Sequence, residues 1–258
     1  MWLRGMLQLL LLLPLGILAG ILAGLLGIGG GLVFSPLLLW LGLSPHQALA
    51  TSTLAIVPTT AGGSWAHLRR GLLPWPSALA IGSGALVFGL LFGRLGAALP
   101  AWQLLASQAL MYGALTLFVR PGELAPSETA LNTRQPLLAL LCVGAVAGLA
   151  GGLLGLGGGL VMVPVMVSAL RLPIHLAIRL STFAVLCASS VAGLLFLQAG
   201  RGEWLSALVL GGSAAIGARW SAARLQRVKP AQLAWLLRLL TLLLAIDSAR
   251  RAAMLFYK

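Results

Sequence analysis

Apolar runs of about twenty residues recur along this chain, and they constrain its fold more than any other feature. Residues 7 to 26 and 137 to 154 carry no charged side chain. Similar runs lie near 46–67, 75–98, 102–119, 174–198, 204–226 and 231–249. About twenty apolar residues in helical form cross a bilayer. The chain is 60% hydrophobic and 8% charged, against about 25% charged in a soluble domain. Too little polar surface exists to coat a water-soluble fold. The runs are continuously apolar, where strands of a membrane barrel would alternate with period two. The expectation is an all-α polytopic membrane protein embedded in a lipid bilayer. Arg4 ahead of an apolar core imitates a secretory signal. Residues 137–152 form an equivalent lead-in within the chain, so the first run is expected to be structural.

Two stretches repeat. Residues 24–36 read GLLGIGGGLVFSP and residues 152–164 read GLLGLGGGLVMVP, with ten of thirteen positions identical. PHQALATSTLAIV (45–57) aligns with IHLAIRLSTFAVL (174–186), pairing His46 with His175, Ser52 with Ser181 and Thr53 with Thr182. The offset is 128 residues in the first block and 129 in the second. Between the copies lies RPGELAPSETALNTRQP (120–136), polar and holding three prolines, which reads as an exposed linker. The organisation expected is a first membrane repeat over 1–119, a linker over 120–136 and a second repeat over 137–258. Inverted halves are favoured, because transporters often use them.

After each glycine cluster comes an apolar piece of some eleven residues, near 32–42 and 160–170. At 1.5 Å per residue it covers roughly 16 Å, about half of the hydrocarbon core. It is expected to be a half-helix or re-entrant segment. That gives about eight full transmembrane helices plus two short ones.

The glycines have two readings. Gly16, Gly20 and Gly24, like Gly144 and Gly148, suit close helix packing. A triple glycine followed by proline five residues on reads instead as a break. Non-helical backbone at membrane depth is tolerated only when buried in protein or lining a wet cavity. A half-helix starting there points backbone N–H groups and a positive dipole end inward, where an anion could sit.

The hydroxyls Ser52, Thr53, Ser181 and Thr182 sit early in the longer helix of each half. They can bond back to their own helix or donate to an oxyanion. Arg179 stands where the first half has Ala50. An arginine inside the membrane costs roughly 3 kcal/mol or more. It either snorkels to the interface or faces a polar cavity, where its planar fork suits an oxyanion. His46 and His175, near helix starts, read as capping or interfacial groups, and His67, beside Arg69 and Arg70, as interfacial. Cys142 and Cys187 read as small buried hydrophobes.

Seventeen Lys and Arg stand against four Asp and Glu. Basic residues in cytoplasmic loops account for part of this, and an electropositive route for an anion is the functional reading. The basic residues are spread among hydrophobic helices, which argues against nucleic-acid binding. No catalytic set, metal-ligand spacing or cofactor motif is present. The glycines are followed by no Lys-Ser/Thr, so they do not read as a nucleotide loop.

The signature GxxxGxxGxGGGxxxxP appears as GILAGLLGIGGGLVFSP (20–36) and GLAGGLLGLGGGLVMVP (148–164), each followed by Ala-x-x-x-Ser-Thr. In this the chain resembles the TauE/SafE sulfite exporter family. The resemblance implies a multi-pass permease of the bacterial inner membrane, with no enzymatic activity. It would move small anions, typically sulfite, sulfonates such as sulfoacetate or related sulfur compounds, usually outward. It points to Gly27, Gly29, Gly30, Gly31 and Pro36, and to Gly155, Gly157, Gly158, Gly159 and Pro164. With Ser52, Thr53, Ser181, Thr182 and Arg179 these form the candidate substrate site between the halves. Alternatives are a permease for another organic anion or a metal ion, or a non-transporting accessory protein. Homo-oligomerisation stays open.

Overall fold

The structure, a computed structural model, describes residues 2–118, 136–154, 157–198, 200 and 202–256; side chains at 2–10, 96–98, 101, 118, 154 and 256 are not described. Gly155, Arg201 and the linker apart from Pro136 lie outside the described residues. Among the described residues the fold is all-helical. The helices are α1 (Trp2–Leu26), α2 (Gly31–Trp40), α3 (Pro45–Leu68), α4 (Trp75–Ala98) and α5 (Ala101–Phe118), then α6 (Leu137–Leu154), α7 (Gly159–Ser168), α8 (Ile174–Gln198), α9 (Trp204–Ala222) and α10 (Pro230–Phe256).

α2 and α7 have ten residues each, the half-length expected. α9 stops at Ala222, before a 3-10 turn over Leu225–Arg227, and α10 continues to Phe256. Three helices are long and apolar enough to cross a membrane by length and composition, covering Trp75–Leu95, Ile174–Gln198 and Pro230–Leu255. α3 is less apolar because its inward face carries Thr51, Ser52, Thr59, Thr60, Ser64 and His67, all buried.

The interior is mainly apolar but holds many buried hydroxyls, and the outer surface carries large apolar side chains. Leu110 is 77% exposed and Leu117 78%, whereas Thr51, Ser52 and Ser181 are 0%. In water this distribution would strand large apolar patches. In lipid it satisfies both sides, since small and hydroxyl residues pack helices together there. Cys142 is exposed and Cys187 partly so, which corrects the expectation of two buried thiols. Cys142 lies on the outer face of α6, beside exposed Leu138 and Leu141.

Helix starts follow their sequences. Ser44 and Gln47 form a capping box at α3, with Pro45 at the first helical position. α4 begins Trp75-Pro76 for the same reason.

Glycines set the closest packing. Gly16, Gly20 and Gly24 of α1 lie against Leu210, Ala214 and Ala218 of α9, so α1 and α9 run parallel. Gly144, Gly148 and Gly152 of α6 lie in the same way along Ile81, Ala85 and Gly89 of α4. A side chain at any of these six positions would strike the neighbouring backbone. α3 and α8 cross at the centre. A Cβ on Gly193 would lie 3.3 Å from Leu54, and one on Gly63 3.1 Å from Thr182. As the numbers rise along α3 they fall along α8, so these two helices are antiparallel.

The crossing defines two ends. At one, Arg70 donates to the Ala223 carbonyl and His175 Nε2 to the Val228 carbonyl at 3.2 Å. Arg69, Arg70, Arg171, Arg224, Arg227 and Lys229 gather there, all exposed. At the other, His46 Nε2 donates to the Leu99 carbonyl at 3.0 Å, and Thr51 Oγ1 accepts the Glu203 N–H at 3.0 Å. Glu203, one of the two described carboxylates, belongs to that second end. Asp247, far along α10, is paired with Arg250 and Arg251. The histidines that pair in the sequence therefore perform the same capping task at opposite ends.

Candidate functional site

The two glycine breaks come together where α3 passes α8. Gly30 caps α2 with φ 90°, and Gly158 caps α7 with φ 71°. These are left-handed values that a side chain adopts only at a cost. Neither helix start receives a side-chain cap, and both are buried. The first N–H groups of a helix lack partners within it, so two positive helix ends are held inside the protein.

The breaks touch each other. A Cβ on Gly159 would sit 2.5 Å from the Gly27 carbonyl oxygen and 2.9 Å from Ile28 Cα. Between them stand Ile56 and Val185, which the sequence repeat pairs. A Cβ on Gly29 would lie 2.5 Å from Val185 and 3.0 Å from Ile56, and one on Gly157 2.7 Å and 3.6 Å from the same two residues. Gly31, Pro36 and Pro164 are buried in the short helices. Each proline lacks an N–H, which leaves the carbonyl four residues earlier without its helical donor.

The hydroxyls divide. Thr53 and Thr182 donate back to the carbonyls of Leu49 and Ile178, each at 2.8 Å. Ser181 Oγ donates across to the Gly27 carbonyl at 2.7 Å and lies 3.4 Å from that of Gly159. It ties both breaks to α8. Ser52, its partner in the repeat, is equally buried, yet its Oγ has no hydrogen-bond partner. Ser189 Oγ is likewise unpartnered and buried, 3.5 Å from where a Gly157 Cβ would stand. Ser189 was readable as a site residue, since the repeat pairs it with Thr60, which borders Gly29. Gly155 lies outside the described residues.

Arg179 does not join the breaks. Its Nη1 approaches the Leu72 carbonyl at 3.4 Å, in the loop after α3 at the basic end. His67 is nearby and 1% exposed, which corrects the interfacial expectation. It sits on the inward face of α3, whereas Arg69 and Arg70 follow the helix into the loop. A cleft of about 470 Å³ lies between α3, α8 and α9, lined by Leu54, Val57, Pro58, Gly193 and Leu197 among others. It is apolar, and Leu194, Trp204 and Leu208 at its rim face outward. Among the described residues no group of three or more His, Cys, Asp or Glu could hold a metal ion.

The family profile described as "Sulfite exporter TauE/SafE" matches residues 12–248. The chain belongs to the TauE/SafE family. Members of this family are membrane transporters, and the apolar helices agree with a place in the membrane. A "Probable membrane transporter protein YunE" of Bacillus subtilis is 27% identical over 91% of this chain and 94% of its own length. A "Probable membrane transporter protein" of Xylella fastidiosa is 33% identical over 66% of this chain and 67% of its own. "Sulfite exporter TauE/SafE family protein 1" of Arabidopsis thaliana is 40% identical over 24% of this chain and 14% of its own. No solved structure matches the chain.

Proposed function

We propose that the chain is a secondary transporter that exports small anions, with sulfite and organosulfonates first among them. The observation that carries this is the convergence of two buried, uncapped helix starts with the free hydroxyl of Ser189 beside Gly157. Such a place stabilises negative charge. The name of the Arabidopsis relative supplies sulfite as the first candidate. Gly27, Gly29, Gly30, Gly31 and Pro36 form one wall with Ser52 and Thr53. Gly155, Gly157, Gly158, Gly159 and Pro164 form the other, and Ser181, with Thr182 beside it, reaches from the second half to both walls.

In this reading eight helices cross the membrane, and α2 and α7 return from the breaks as half-helices. Residues 1–119 and 137–258 are inverted halves joined by 120–136. Support comes from α3 and α8, which are paired in the sequence and antiparallel in space. The axis relating them is then perpendicular to the helices, in the membrane plane. The basic end faces the cytoplasm by the positive-inside rule, and the membrane is the bacterial inner membrane. Rocking of the halves around the breaks gives alternating access.

The test is flux into proteoliposomes of sulfite, sulfoacetate, thiosulfate and sulfate, with and without a pH gradient. Saturable flux of sulfite or sulfoacetate is expected. Folded protein that moves none of the four would overturn the reading and favour a packing role for the glycines.

A further inference from the structure

Three unpartnered polar atoms gather at the basic end. Ser64 Oγ, His67 Nε2 and Arg179 Nε are buried and have no hydrogen-bond partner. Ser64 is 2% exposed and His67 1%. They stand three residues apart on one face of α3. Arg179 comes from α8, which passes this part of α3 where Gly63 meets Thr182. Leu72 links Arg179 to His67, its N–H donating to the His67 carbonyl at 3.2 Å. One nitrogen of the Arg179 fork is tied to the Leu72 carbonyl, which holds the guanidinium in place. No described carboxylate pairs with it: Glu203 belongs to the opposite end, and Asp247 is paired with Arg250 and Arg251.

A half-buried arginine beside two buried, unpartnered polar side chains, with no carboxylate bonded to it, is a costly arrangement at membrane depth. The fold does not require it. The sequence repeat pairs Ser64, His67 and Arg179 with Gly193, Phe196 and Ala50, all three buried and none polar. The same crossing is thus packed at the other end without a polar side chain at those positions. What the polar set adds is a ready ligand field for an anion.

We propose that Ser64, His67 and Arg179 form a binding site for one small oxyanion, placed between the basic surface and the glycine breaks. The proposal rests on the transport reading for its direction, since an anion arriving from the basic end meets this site first. Ser181, two residues beyond Arg179, already touches the break. The guanidinium contributes charge and a fork that fits two oxygens of one anion, and Ser64 and His67 donate to the remaining oxygens. An anion with two or more terminal oxygens should therefore outcompete chloride.

The experiment is calorimetric titration of the full chain in detergent with sulfite, sulfate and chloride, alongside sulfite flux in proteoliposomes. The variants are Arg179→Ala, His67→Phe and Ser64→Gly, each installing the residue its paired position already holds. Wild type should bind sulfite. Loss of one hydrogen bond to a charged ligand should weaken binding roughly 10- to 100-fold. If Arg179→Ala cannot be recovered folded, the other two variants carry the test. Unchanged sulfite affinity in the recovered variants would overturn the site while leaving transport standing. Arginine-dependent binding without flux would uphold the site and remove the transport reading. Wild type that binds no oxyanion, or binds chloride equally, would also overturn the site.

Discussion

Ser181 and Ser52 occupy paired positions and perform different tasks. The Ser181 hydroxyl holds α8 to the carbonyl of Gly27, while that of Ser52 is buried with nothing to bond. Ser181→Ala should therefore lower stability, by about 0.6–1.7 kcal/mol for a hydrogen bond between membrane helices. Ser52→Ala removes a desolvated group without a partner and should leave thermal stability unchanged or slightly higher. If Ser52 serves a passing anion, the same variant should slow flux several-fold. A thermal melt and a flux assay on the two variants separate these roles; a lower melting temperature for Ser52→Ala would contradict the assignment. The pairing of the serines was legible in the sequence. Their difference was not, because the Gly27 carbonyl lies 154 positions from Ser181 and reaches it only through the way α8 crosses the first break. His67 shows the same limit. Its neighbours Arg69 and Arg70 suggested an interface, and only the rotation of α3 decides that residue 67 points inward.

Among the elements, the short helices carry the functional argument. Both begin at a left-handed glycine, and at both a side chain would collide. A Cβ on Gly30 would lie 2.7 Å from the Phe34 ring, and one on Gly158 would strike the Ala147 carbonyl. A left-handed residue with a side chain costs roughly 1–2 kcal/mol before any clash. Gly30→Val and Gly158→Val should each abolish flux while some folded protein still reaches the membrane. Normal transport in both would refute a role for the breaks. The elements were largely legible, because apolar runs, proline and capping residues mark helix ends locally. The half-length of α2 and α7 followed from counting residues between glycine and the next polar turn. The end of α9 was less legible, since the 3-10 turn after it has a helical composition.

For the molecule as a whole, the charge distribution gives a direction. Six exposed basic residues gather at one end, and Glu203 lies at the other. If the basic end is cytoplasmic, a cysteine replacing Glu203 should react with an impermeant maleimide on intact cells. One replacing Lys229 should react only after the membrane is opened. The labelling needs a background without Cys142 and Cys187, which are free thiols. The reverse pattern would invert the proposed orientation. Sequence alone left this undecided, since basic counts balance until the antiparallel crossing of α3 and α8 puts each loop at an end.

The packing of α1 on α9 and of α6 on α4 has a consequence for biosynthesis. During synthesis α1 presents the face of Gly16, Gly20 and Gly24, whose partner is α9. That face stays unmatched in the bilayer until synthesis has passed Ala222. Neither half of the chain can complete its own packing, so the α1 face waits for nearly two hundred residues of synthesis with its partner absent. Insertion factors that shield small-residue helix faces would find a long-lived client surface here, on α1.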